Sequence, residues 1–323
     1  MALVNDQPTA RWGLGLGTGV AAACLLLPVL VPGGSGLLSP LLPLPVLFFL
    51  ARRGRQLGGA IVRNAVLVAL GVGALLGSLA ELAVSFLFLP LGMLLYQAGQ
   101  AGRSVSRTLF EGALLLAVLW LAMAGVFAAA TGQNPYIRLL EVVDQELEAG
   151  YTAFTEAGEL PPEMVAAMAQ ARDRLQVVLP RLLPAILAAS LLVTVFANLV
   201  LGNWLLGRGQ PAGAPWPPFT RWRLPEGLIW LLIAGGSLVI LPHPELATVG
   251  HNLLVVTGVL YFLQGLAVAG FLLGRWRLPR PVKIVIYLVL LVEAYGMLLF
   301  AALGVIDVWA DFRNRSRPDQ PAF

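Results

Sequence analysis

Long apolar runs alternate with short polar connections along this chain, and one polar stretch near the middle breaks the rhythm. The runs are residues 13–31, 37–50, 61–78, 82–98, 108–131, 181–206, 227–241, 247–274 and 282–307. A helix needs roughly 17 to 25 apolar residues to cross a hydrocarbon layer about 30 Å thick, and most of the runs meet that length. Residues 37–50 and 227–241 are shorter. The first is rich in proline ("SPLLPLPVLFFL"), which predicts a kinked or partly re-entrant helix whose freed carbonyls need protein or water partners. The pattern predicts an all-α polytopic bundle with eight or nine spans.

The polar stretch covers residues 132–180. Asn134 and Pro135 form a helix start, after which Tyr136, Leu140, Val143, Leu147, Tyr151 and Phe154 recur at steps of four and three. "EAGELPPE" interrupts that helix, and Met164, Met168, Ala171, Leu175 and Val178 then repeat the spacing. The expected product is an extracytoplasmic amphipathic hairpin that feeds the next span through Pro180 and Pro184. Its stripes can pack on each other, cover the outer mouth of the bundle or receive a partner. Three parts follow: an N-terminal membrane bundle, 1–131; the hairpin, 132–180; and a C-terminal bundle with a short polar tail, 181–323.

Composition fixes the setting. Hydrophobic residues make up 58% of the chain and charged residues 12%, against roughly 25% charged in soluble domains. The expected environment is a lipid bilayer, specifically a bacterial cytoplasmic membrane. Basic residues then give orientation: Arg52, Arg53, Arg55 and Arg63, then Arg103 and Arg107, then Arg208, Arg221 and Arg223, then Arg275, Arg277, Arg280 and Lys283 follow alternate runs. The positive-inside rule makes these connections cytoplasmic, with the N-terminus on the same side. Nine crossings would put Arg313, Arg315 and Arg317 outside, against that rule, so eight and nine both stand. The net charge of +4 sits in the connections and gives no case for nucleic acid. From Arg138 to Arg181 the hairpin carries eight acids and four arginines, which disfavours anionic lipid there.

Few residues suggest chemistry. Cys24 is the sole cysteine, so no disulfide framework or cysteine zinc site is expected. His243 and His251 flank Glu245 without the H-E-x-x-H spacing, and there is no phosphate loop, no G-x-S-x-G elbow and no pair of intramembrane aspartates. Neither an enzyme nor a metal or cofactor is expected. Ionisable groups inside spans are costly, which singles out Glu293. Gly296, Phe300, Gly304 and Asp307 share its helical face, and that stripe should face protein or water. Asp311 is positioned to reach Arg315 four residues on.

In the run before, Thr257, Tyr261 and Gln264 share a face, while Asn198 and Asn203 lie in the 181–206 run. Glu293, Gln264, Tyr261, Asn198 and Asn252 are the candidate ligand-binding groups, and the same polar residues suit interhelical hydrogen bonds. Gly15, Gly19 and Ala23, with Gly73 and Gly77, are candidate close-packing positions. The connection "GRGQPAGAPWPPFTRWRLPEG", 207–227, reads as an interfacial anchor or a polyproline ligand.

"LLPLPVLFFLARRG", "FTRWRLPEGLIWLL", "GHNLLVVTGVLYFLQGLAVAGFLL" and "LGVIDVWADFRNR" resemble, in this order, the YybS-like family of bacterial multi-pass membrane proteins. That family is distantly similar to the substrate-binding S-components of energy-coupling-factor transporters. The resemblance implies a helical bundle with an outward-open pocket for a vitamin-like small molecule and a shared transmembrane and ATPase partner. Two functions are therefore weighed. One is a small-molecule binding or transport component; the other is a non-transporting scaffold or assembly partner, docking through the 132–180 hairpin to a membrane protein or another copy. Convergent polar groups in a cavity favour the first, and a packed interior favours the second.

Overall fold

The computed structural model describes residues 8–31, 33–156, 161–208, 214–275, 279, 281–283 and 294–313. Among these residues every regular element is helical. Six helical segments are long and apolar enough to cross a membrane, and Glu226–Ile240 and Tyr295–Ala310 are shorter apolar helices.

Helix α1 (Pro8–Leu30) is followed by the short α2 (Gly34–Leu38), a 3₁₀ turn at Ser39–Leu41, and α3 (Pro43–Leu76). α3 is two helices joined at Gly54, whose φ of 76° and ψ of 171° belong to a region that a side chain would disfavour. Gly58 returns so close to the Phe49 carbonyl that no Cβ would fit. The 37–50 and 61–78 runs are thus joined through a one-residue reversal.

Helices α4 (Leu79–Phe86) and α5 (Leu89–Gln100) divide the next run, and Pro90 lies in the first turn of α5, where its missing N–H is harmless. α6 (Val105–Thr131) starts at Ser104, whose hydroxyl accepts from the Arg107 amide at 3.3 Å.

Helix α7 (Pro135–Glu156) runs alongside the first half of α8 (Pro162–Gly207). Arg172 pairs with Glu148 at 3.1 Å and stacks on Tyr151, 4.7 Å from the ring centre. Two features of this region decide between the open alternatives. The second hairpin helix and the 181–206 run are one continuous helix of 46 residues, with Pro180 and Pro184 inside it. The two stripes also do not both turn inward: Leu140, Val143, Leu147 and Tyr151 are half-buried, but Met164, Ala171, Leu175 and Val178 are exposed. Met168 of the stripe is half-buried, together with Val165, Ala169, Arg172 and Gln176.

The last three helices are α9 (Ile229–Ile240), α10 (Pro244–Arg275) and α11 (Ala294–Ala310). α10 packs against α8, α9 and α11. It crosses α11 at Gly265 and Gly304: a Cβ on the first would collide with the Phe300 carbonyl, and on the second with that of Tyr261. Gly296, Phe300, Gly304 and Asp307 are all buried, as the stripe requires. Glu293 lies outside the described residues.

The small-residue ridge of α1 is a correction. Gly15, Gly19 and Ala23 are exposed, and α1 packs through Gly17, Ala21, Ala22 and Leu25, with Gly17 against Ile61 of α3. Gly73 does pack tightly, against Leu82, whereas Gly77 ends α3 in a left-handed cap with φ 70°.

Three of the basic connections meet at one end of the bundle. Arg52 donates to the carbonyls of Leu206 and Arg208 at 2.9 Å, the Trp216 indole donates to Arg103 O at 3.1 Å, and Ser106 donates to Arg223 O at 2.7 Å. Arg313 joins them by donating to Thr220 O and Trp222 O. The separation from this end that a ninth crossing would give the terminal arginines does not hold for Arg313. Arg315 and Arg317 lie outside the described residues.

Candidate functional site

The 214–228 connection folds inward and carries the densest polar network. Asn203 of α8 holds its start with both amide atoms, accepting from Trp216 N–H and donating to Trp216 O, each at 3.0 Å. Farther along, Gln264 of α10 accepts from the Leu224 amide at 2.9 Å and donates to Gly304 O at 3.1 Å and Asp307 Oδ2 at 3.2 Å. Asp307 also pairs with Arg313, and the two side chains are only 1% and 5% exposed. The connection is thus held from inside the bundle, with Trp216 and Trp222 both buried. It is neither a surface anchor nor a free polyproline segment.

The reason for this arrangement is chemical. A chain rich in proline cannot satisfy its own carbonyls through helical bonds. Arg313 supplies donors to the carbonyls of Thr220 and Trp222, and Gln264 accepts from the Leu224 amide. Burial draws the Arg313 pKa below its usual value, and the Asp307 carboxylate acts against that shift. Asp311, at φ 44°, turns back to pair with Arg223. The expected partner, Arg315, lies outside the described residues.

The remaining ligand candidates serve other parts of the backbone. Asn198 of α8 donates to Pro40 O at 2.7 Å, which satisfies a carbonyl of the proline-rich entry to α3, and to Thr194 O at 2.9 Å. Asn252 of α10 inserts into the proline-kinked part of α8. It accepts from Ala185 N–H at 3.0 Å and donates to Arg181 O at 2.8 Å, two groups that stand four residues apart in that helix. Pro184 has no N–H for the Pro180 carbonyl, and the Tyr136 hydroxyl donates to that carbonyl at 3.0 Å. Tyr261 is buried with its hydroxyl unpartnered. Gln264, Tyr261, Asn198 and Asn252 therefore do not converge on one polar cavity.

Sequence reasoning left Arg313 in a tail and missed that Trp222 and the Leu224 amide are interior. The signal was present in "RWRLPEG", where apolar residues alternate with arginines inside a proline-rich loop. A cleft of about 420 Å³ beside this connection is lined by Phe196, Trp204, Trp216, Phe219 and Trp222 among others and is mainly apolar.

A family model described as a predicted membrane protein, DUF2232, matches residues 19–308. The chain belongs to that family. The match takes in most of the described helices, so the interior contact of Gln264 with Asp307 falls within the family region. No curated protein and no solved structure matches the chain.

Proposed function

We propose that this protein is a non-transporting membrane partner, an assembly or scaffold component that docks through the outer hairpin. The observation that carries this reading is the open stripe on α8: Met164, Leu175 and Val178 are 50%, 41% and 45% exposed, although their spacing is that of a packing face. Phe154 of α7 is also exposed, at 66%. An amphipathic helix whose apolar side faces outward in the free chain is suited to helix-against-helix recognition.

The S-component-like reading has less support, because three of its polar candidates are engaged with the protein's own backbone. In the proposed topology the chain crosses a bacterial cytoplasmic membrane eight times, with its N-terminus and arginine-rich end cytoplasmic and the hairpin outside. No catalytic chemistry belongs to this reading.

The test is hydrodynamic. Purified from its own membrane in mild detergent, the parent should run as a defined complex larger than one chain, and a Met164→Ser, Leu175→Ser, Val178→Ser variant of equal abundance should run as the lone chain. An unchanged complex in the triple variant would count against docking through this face.

A further inference from the structure

We infer that the aromatic cleft at the arginine-rich end is a binding site for one anionic phospholipid, with an acyl chain in the cleft and the phosphate at Arg208 and Arg221. The cleft has a volume of about 420 Å³, within the range of small-ligand sites. Its wall is built rather than incidental. Phe196 stacks edge-on against Phe219 at 5.3 Å and tilts against Trp222 at 5.2 Å, while Asn203 fixes the backbone of Trp216 on the other side.

Charge points to a ligand with an apolar chain and a negative head. Arg103 and Arg107 pair with Glu111, Arg223 pairs with Asp311 and Arg313 with Asp307. Among the described residues Arg208 and Arg221 have no carboxylate partner.

Arg208 is stacked on the cleft wall, and Arg221 is a chain neighbour of cleft residues. The Arg208 guanidinium lies 3.7 Å above the ring centre of Trp204, a cleft residue that is itself exposed. Arg221 stands in the 3₁₀ turn between Phe219 and Trp222. Aromatic rings with unneutralised arginines, at the end of an apolar bundle, match the boundary where lipid tails meet head groups. Each such arginine near a membrane surface contributes about fivefold in affinity for anionic lipid.

The test uses the full chain, delipidated in detergent, titrated with dioleoyl phosphatidylglycerol or dioleoyl phosphatidylcholine, and read by native mass spectrometry. The parent should retain one phosphatidylglycerol in preference to phosphatidylcholine. Arg208→Gln and Arg221→Gln should each lower that preference roughly fivefold, and the pair about 25-fold. Val200→Trp, which fills the cleft from a half-buried position, should abolish the retained adduct of either lipid while leaving circular dichroism and elution volume unchanged. Equal retention of the two lipids by the parent would overturn the inference, as would a Val200→Trp variant that keeps its adduct. Millimolar inorganic phosphate should not displace the lipid, and displacement would equally reject a site defined by the acyl chain.

Discussion

Removing the Asp307 carboxylate is the sharpest perturbation of the interior network. Asp307→Ala leaves the Arg313 guanidinium, whose side chain is 5% exposed, without its counter-charge. Loss of one partner from a buried pair costs about 3 to 5 kcal/mol. Arg313 keeps its bonds to Thr220 O and Trp222 O, and Gln264 keeps Gly304 O and the Leu224 amide, so the upper part of that range is not needed. Arg313→Met costs a similar amount from the other side, because it strands the carboxylate and two carbonyls. The double variant, Asp307→Leu with Arg313→Met, strands only the carbonyls, at about 1 kcal/mol or a little more each. It should therefore be more stable than either single variant.

Asp307→Asn should fall between the parent and Asp307→Ala, since a neutral amide of the same shape still bonds to Gln264. The assay is reversible unfolding in mixed micelles, titrated with dodecyl sulfate and followed by far-ultraviolet circular dichroism. A loss below about 1 kcal/mol for Asp307→Ala, or a double variant whose loss is the sum of the singles, would refute the reasoning.

Other outcomes follow from the same contacts. Asn252→Leu should cost about 2 kcal/mol by freeing the Ala185 amide and the Arg181 carbonyl, with faster hydrogen exchange around Ala185 as its specific sign. Asn198→Leu, which frees Pro40 O, should cost about 1 to 3 kcal/mol in the dodecyl sulfate titration and should loosen the entry to α3 rather than α8. Gly304→Ala should lower stability by about 1 to 3 kcal/mol or more, because the added methyl meets a backbone carbonyl that no rotamer change can move. In a Cys24→Ala background, a cysteine at Glu148 should react with an impermeant thiol reagent in intact cells, and one at Arg53 only after lysis; the reverse pattern would invert the proposed topology.

The runs of apolar residues were legible because bilayer length is a strong constraint, and the described helices follow most of them. What the pattern could not show was continuity. Pro180 and Pro184 read as a boundary, yet α8 continues through them because Asn252 and Tyr136 satisfy the affected backbone groups from other helices. Nothing in the apolar pattern marks Gly54, although its positive φ makes the reversal that joins two runs.

The intramembrane polar residues were also visible, but their role was not, since a lone asparagine has the same appearance whether it meets a ligand or a carbonyl. Asn198 and Asn252 both meet backbone groups in proline-containing segments distant in sequence. Small-residue spacing misled for a related reason: Gly15, Gly19 and Ala23 give α1 one smooth face, and only the position of α3 shows that the helix packs through another.

The central claim is that the outer stripe of α8 is a docking face, and site-specific photocrosslinking in intact cells tests it most directly. A photoreactive residue at Leu175, which is 41% exposed, should give one discrete membrane-protein adduct. The same residue at Leu147, half-buried on the α7 stripe, should give none from a foreign chain. Absence of an adduct at Leu175, or equal adducts at both positions, would contradict the claim.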